Sequence, residues 1–168
     1  MRQLRYMQEL LDEWYTHQRN WTYLEPILSS QYAQKNMGKE VKSFNSCDQA
    51  WRKMMKRAND YPAMQKWWAS DHMKRDYHSM LVRNNGEFEK IQKALEELLE
   101  KKRDVFQRFY FLSNDELLEI LSQAKDLKSV VQHLRKCFEN LIKLRFDSHD
   151  NATHMVSSEG EAVPLKNF

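Results

Sequence analysis

His133 and Cys137 stand four residues apart, the spacing that puts an imidazole and a thiol on one face of a helix. Such a pair is half of a tetrahedral zinc site. The other half needs a second His or Cys pair, which the chain does not supply, and Cys137 also belongs to an apolar stripe. We read the pair as core. His149 and His154, with Asp147 and Asp150, fall in a polar loop and make no better cage, and His72 and His78 are six apart, on different sides of a helix. Glu96, Glu97 and Glu100 could be paired carboxylates for acid–base work, but a tuned carboxyl needs burial and lysines follow at once. A solvated helix face is the reading there. Lys101-Lys102-Arg103 could touch an acidic partner, yet three charges fall short of a nucleic-acid stripe.

Composition removes further classes of chemistry. Only Gly38, Gly86 and Gly160 are present, so neither a phosphate-cradling loop nor a dinucleotide fingerprint nor a nucleophile elbow can be built. The 27 basic and 24 acidic side chains are interleaved along the chain, giving a net charge of +3 and no polyanion footprint. A mean hydropathy of −0.85 and the lack of a long apolar run exclude a transmembrane helix. The first residues, Met1-Arg2-Gln3-Leu4-Arg5, lack a signal peptide's apolar core, so Cys47 and Cys137 are expected to be reduced thiols. We expect no catalytic residue, no cofactor, no metal, no nucleic acid and no membrane partner. Aromatic residues make up 12% of the chain, which points instead to large packing or docking surfaces.

The elements that carry those aromatics follow from periodicity. Leu4, Met7, Leu11, Trp14, Gln18 and Trp21 recur at helical, heptad-like spacing, and this first helix should end near Glu25, because Pro26 disfavours helix in the residue before it. Tyr32 to Gly38 reads as a short helix or connection with Gly38 as C-cap. Val41, Phe44, Asp48, Trp51, Met55 and Ala58 give another helix, broken at Asn59-Asp60-Tyr61-Pro62. Residues 63–86 are hard to read: Met64, Trp67, Trp68, Met73, Tyr77, Met80 and Leu81 suit a helix, and Asn84-Asn85-Gly86 predicts a break. Phe88, Ile91, Leu95, Leu98, Lys102, Val105 and Phe109 then keep a strict heptad, which turns Lys102 into the seam. Arg108-Phe109-Tyr110-Phe111-Leu112 is too apolar for a solvated loop. Ser113 and Glu116 form a capping box, opening a helix with Leu117, Leu118, Ile120, Leu121 and Ala124 on one face. Val130, Leu134, Cys137, Phe138, Leu141 and Ile142 form one more stripe, completing a helical hairpin. After a loop at residues 147–151, two extended segments about Ser158-Glu159-Gly160-Glu161 read as a β-hairpin, confined to an edge by Pro164 and marginal without a neighbour.

Several of these stretches carry a resemblance. Leu11-Asp12-Glu13-Trp14 through Trp21-Thr22-Tyr23-Leu24-Glu25-Pro26-Ile27, Asp48-Gln49-Ala50-Trp51-Arg52, Glu87 to Arg103, Phe106 to Leu144 and Met155 to Glu161 occur in order and at the spacing found in the linker (N-terminal region 2) of dynein heavy chains. Ser113-Asn114-Asp115 and Ser157-Ser158-Glu159 resemble the axonemal type. Gln107, Leu127 and Gln132 stand where that family commonly has proline, and Met37-Gly38 replaces a frequent Leu-Pro, so helices here could run longer.

The resemblance implies a mostly helical rod that bends across a separate ring of ATPase modules and moves a tail relative to a microtubule-binding stalk. It implies as partners that motor ring and the remaining linker, with microtubules engaged only indirectly, in the axoneme of a cilium or flagellum. The expected fold is mainly α: an elongated helical bundle, coiled-coil-like in places, over residues 1–146, and a loop with a C-terminal β-hairpin over residues 147–168 that continues into further linker. Candidate packing and docking residues are Trp14, Trp21, Tyr23, Pro26, Trp51, Arg108, Phe109, Tyr110 and Phe111. A free-standing helical interaction module is the alternative, and an exposed aromatic patch at Trp67-Trp68 or Phe109-Tyr110-Phe111 would favour it or mark where more linker packs.

Overall fold

A computed structural model describes residues 2–62, 71–122 and 127–166. The order of elements is α1 (Arg2–Leu28), α2 (Gln31–Asn36), α3 (Gly38–Asp60), α4 (Asp71–Val105), a 3-10 turn (Gln107–Phe111), α5 (Asn114–Ser122), α6 (Leu127–Cys137), β1 (Leu141–Phe146), β2 (Ala152–Ser157) and β3 (Ala162–Pro164). The chain is mainly α with a small antiparallel sheet in the order β1-β2-β3. It resolves into two compact units, residues 1–95 and 96–168, and α4 supplies residues to each. Trp67, Trp68 and Met64, and Ala124 of the later stripe, lie outside the described residues, as do the side chains of His72 and Met73.

The first unit has two clusters of buried side chains. Leu24, Leu28, Ala33, Phe44, Cys47, Phe88 and Ile91 form one, flanked by Trp21 and Val41. Leu10, Trp51, Met54 and Leu81 form the other, flanked by Trp14, Trp21, Ala58, Tyr77 and Met80. Burying each large side chain contributes about 1.5–3 kcal/mol, which is what overrides the local signals that read otherwise. Helix α1 does not end at Glu25: it carries Pro26 inside its last turn and continues to Leu28. One lost backbone bond is outweighed because Leu24 and Leu28 are fully buried. The end is closed by Ser29 N–H on the Glu25 carbonyl and by the Ser30 hydroxyl on that of Ile27, while Ser30 also accepts from Ala33 N–H and so caps α2.

The stripe of α1 lies one residue away from the expected one. Leu4 and Leu11 are exposed, and Leu10, His17, Leu24 and Leu28 face the core. Gly38 is not a C-cap but the first residue of α3, and Met37, itself buried, punctuates the two helices.

Asn84-Asn85-Gly86 breaks nothing, and α4 runs straight through it. The amide of Asn85 donates to the Glu13 carbonyl at 3.1 Å and to its carboxylate at 2.7 Å, and its oxygen accepts from His17 Nδ1 at 3.1 Å. Asn84 reaches Met80 Sδ. Asparagine ends helices by bonding its own backbone, and side chains committed to other partners cannot do so.

In the second unit the heptad slips. Leu99 and Arg103 are buried there, while Lys102 is only half-buried and Val105 is 86% exposed. The Arg103 guanidinium donates to Glu100 Oε1 (2.7 Å), the Leu112 carbonyl (3.1 Å) and Asn114 Oδ1 (2.7 Å), fastening α4 to the start of α5. The capping box forms as its spacing requires: Ser113 N–H donates to Glu116 Oε2 at 3.0 Å and Glu116 N–H to Ser113 Oγ at 3.3 Å. Glu116 also takes Lys136 of α6 at 2.6 Å, and this pair with the cap holds its carboxyl down at about 2.

The last stripe was half helix. α6 stops at Cys137, and Leu141 and Ile142 belong to β1, with Leu141 buried and Ile142 exposed. Leu-Ile-Lys-Leu-Arg-Phe alternates well enough for either period, and the partner strand decides it. β1 pairs along β2 from Leu141↔Ser157 to Phe146↔Ala152, so the expected hairpin of β2 and β3 has its neighbour within the chain. The turn after β2 explains its residues: Ser157 N–H donates to the Glu161 carbonyl, Ser157 Oγ accepts from Glu161 N–H, and Gly160 takes a φ of 87°, which a side chain would strain. His154 sits on β2 rather than in the loop.

Candidate docking surfaces

The nine candidate residues divide into two groups of opposite character. In the first unit Trp51 is 2% exposed, with its ring edge-on to Trp14 at 6.1 Å. Trp21 is half-buried, and its indole N–H donates to Asp48 Oδ1 at 2.8 Å. Arg52 Nε donates to both oxygens of the same carboxylate, at 2.9 and 2.8 Å, and its guanidinium carbon lies 5.4 Å from the Trp21 ring centroid. The hydrogen bonds and charge of Asp48 raise the Arg52 pKa further. Thus the Trp14–Trp21 stretch of α1 and the Asp48–Arg52 stretch of α3 meet as one interlocked set. Tyr23 and Pro26 are exposed on α1 beside it.

Between these stretches lies a group the sequence reading missed. His17 is fully buried, stacked on Phe88 at 4.7 Å and tilted against Trp51 at 4.6 Å. With Nδ1–H given to Asn85, its Nε2 has no partner among the described residues. Burial lowers its pKa to about 4, with the Asn85 bond opposing. In the sequence His17 is a polar residue one turn before Trp21, and the heptad-like spacing favours its neighbour Gln18 for the seam.

The second unit exposes its candidates. Arg108 donates to the Cys137 carbonyl at 2.8 Å, satisfying an orphan acceptor at the end of α6, and lies 4.7 Å over the Phe138 ring. Phe106 packs edge-on to Phe109 at 4.8 Å. Tyr110 is 55% exposed with its hydroxyl 3.2 Å from Asp104 Oδ1, and Phe111 is 67% exposed. The apolar run is therefore a surface turn with few of its rings inside. A cavity of about 270 Å³ adjoins it, bounded by Arg108, Phe138, Leu141, Met155 and Val163 among others.

Burial raises both thiols, Cys47 and Cys137, away from the nucleophilic thiolate form. His133 Nε2 lies 3.2 Å from Glu119 Oε2, and among the described residues no three His, Cys, Asp or Glu side chains gather as metal ligands.

All 168 residues match the family model for dynein heavy chain, N-terminal region 2. The chain belongs to the dynein heavy chain family. It is 44% identical over 165 residues to dynein axonemal heavy chain 1 of Rattus norvegicus, covering 96% of this chain and 4% of that protein. It is 45% identical over 160 residues to dynein axonemal heavy chain 3 of Mus musculus, again 4% of the relative, and 41% over 145 residues to dynein axonemal heavy chain 6 of Homo sapiens, 3% of it. The chain thus corresponds to a small part of these axonemal dynein heavy chains. Within that part, the tryptophan and Asp48–Arg52 stretches that carry the dynein resemblance are the ones that interlock.

Proposed function

We propose that this chain is a segment of a dynein heavy chain linker, a mechanical element that couples ATP-driven changes in a separate motor ring to microtubule-based movement. The observation that carries the reading is the match of the whole chain to N-terminal region 2 of dynein heavy chains. In this reading the segment performs no chemistry of its own. Its partners are the ring and the remaining linker, and it works in the axoneme of a cilium or flagellum. The Trp21–Asp48–Arg52 set holds the helices in register so that force applied to one is borne by the other.

The test is a gliding assay with an axonemal heavy chain in which this segment replaces its counterpart. Gliding is expected to survive the exchange and to slow when Asp48→Ala is added, with basal ATP hydrolysis retained. Unchanged gliding after deletion of the whole segment would sink the reading. The alternative, a free-standing helical interaction module, draws on exposed Tyr110 and Phe111. An immunoblot of the source cells separates the two. A heavy chain of which this is 4% runs roughly twenty-five times heavier, whereas a free module runs near 20.4 kDa.

A further inference from the structure

The outer face of α3 collects positive charge that the linear sequence conceals. Glu40 and Asp48 punctuate its lysines along the chain, yet at about 100° per residue Glu40 turns toward the buried side with Phe44, Cys47, Trp51 and Met54. Asp48 sits on the flank, where Trp21 and Arg52 take it. Between Lys39 and Lys56 the side opposite the core carries Lys39, Lys42, Ser46, Gln49, Lys53 and Lys56, all exposed and following one another at three- and four-residue steps, and exposed Asp60 at the end of the helix closes the row one step past Lys56. None of these four lysines makes an ion pair among the described residues, although carboxylate partners hold Arg5, Arg52, Lys90, Arg103 and Lys136. Like charges three apart on a helix repel, and a merely solvated face normally interleaves both signs.

We propose that this face docks an acidic protein surface, specifically a helix presenting two carboxylate pairs about four turns apart. The spacing is the argument. Lys39 and Lys42 form one pair, Lys53 and Lys56 the same pair fourteen residues on, about 21 Å along the axis, and uncharged Ser46 and Gln49 fill the heptad between. Two separated charge pairs on a heptad seam fit discrete carboxylates on a neighbouring helix. A continuous phosphate backbone would be met by an unbroken row of cations. A lipid surface would be met by an apolar edge, and the face has none. The surface is independent of any role in a linker, since it is defined by this helix alone.

The test uses the full chain and a synthetic helical peptide carrying two Glu-x-x-Glu pairs fourteen residues apart on one face, followed by fluorescence anisotropy. A peptide with the glutamates replaced by glutamine, a duplex DNA of similar length and phosphatidylserine vesicles serve as rivals. The acidic peptide is expected to bind and to weaken as salt rises through the point where the screening length falls below about 10 Å. Lys39→Gln with Lys42→Gln, or Lys53→Gln with Lys56→Gln, should each cost about tenfold in affinity. Neither pair touches the buried side, and removing repulsion should leave the melting temperature level or higher. Equal binding of the glutamine peptide, indifference to both lysine pairs, or tighter binding of DNA or vesicles would overturn the proposal.

Discussion

Trp51 and Phe111 are both large aromatic residues in stretches that carry the dynein resemblance, yet one is 2% and the other 67% exposed. In the first unit the rings are held by polar partners inside the structure: Trp21 by Asp48, His17 by Asn85. In the second unit the polar groups serve the backbone instead, Arg103 on the Leu112 carbonyl and Arg108 on that of Cys137, and the rings are left outside. The difference teaches that an aromatic run marks a surface to be covered, and that the placing of hydrogen-bonding partners decides whether its own chain covers it. The sharpest way to break the comparison is Trp51→Ala. Losing this ring beside Trp14 and His17 should cost about 3–5 kcal/mol in urea unfolding. A loss under about 1 kcal/mol would mean the first unit is no better packed than the aromatic turn.

His17 gives the next effect, read through pH. Its pKa falls from 6.5 in the unfolded chain to about 4 in the fold, so the folded state binds fewer protons. Stability from this group is whole above pH 6.5 and drains away as pH drops to about 4, by at most about 3 kcal/mol. Protonation would place a cation against Phe88 and Trp51 with Nε2 unpartnered. His17→Gln should flatten that part of the pH profile relative to the parent chain. An unchanged slope would show that other groups set it.

Much of this fold was legible from periodicity: α1, α3, the second half of α4, α5 and most of α6 were visible, as were the capping box at Ser113 and the turn at Gly160. What failed were signals whose force is local. Pro26 and Asn84-Asn85-Gly86 are breakers only when nothing buries their neighbours, and Leu24, Leu28, Leu81 and Phe88 do. The choice between Lys102 and Arg103 turned on a one-residue slip from a strict seven-residue repeat to 3.6 per turn, which no window of that length resolves. Strand β1 hid because its run of apolar residues continues the stripe of α6 and only its pairing with β2, from Leu141↔Ser157 to Phe146↔Ala152, makes it a strand. The candidate docking residues include the rings, Pro26 and Arg108 but not Asp48 or Asn85, whose importance comes from distant partners, nor Arg52, which acts through Asp48 one turn away.

That slip is itself open to measurement. Arg103→Met leaves the Leu112 carbonyl and Asn114 without their donor, and should cost about 2 kcal/mol with faster amide exchange over residues 107–114. Lys102→Met, one position away, should stay within about 0.5 kcal/mol. Reversed magnitudes would restore the strict heptad.

The smallest expected change is the one that says most about the second unit. Phe111→Ser removes a ring that is two-thirds exposed, so the isolated chain should unfold within about 0.5 kcal/mol of its parent. Tyr110→Ser should behave the same way, its hydroxyl bond to Asp104 lying in water. If these rings await cover from further linker, the same two changes made in a longer heavy-chain segment should lower its melting temperature, since the ring would then be buried. No effect in either setting would leave them as ordinary surface aromatics. A loss above about 1 kcal/mol in the isolated chain would instead make the turn part of the second unit's own core, and the contrast with Trp51 would fail.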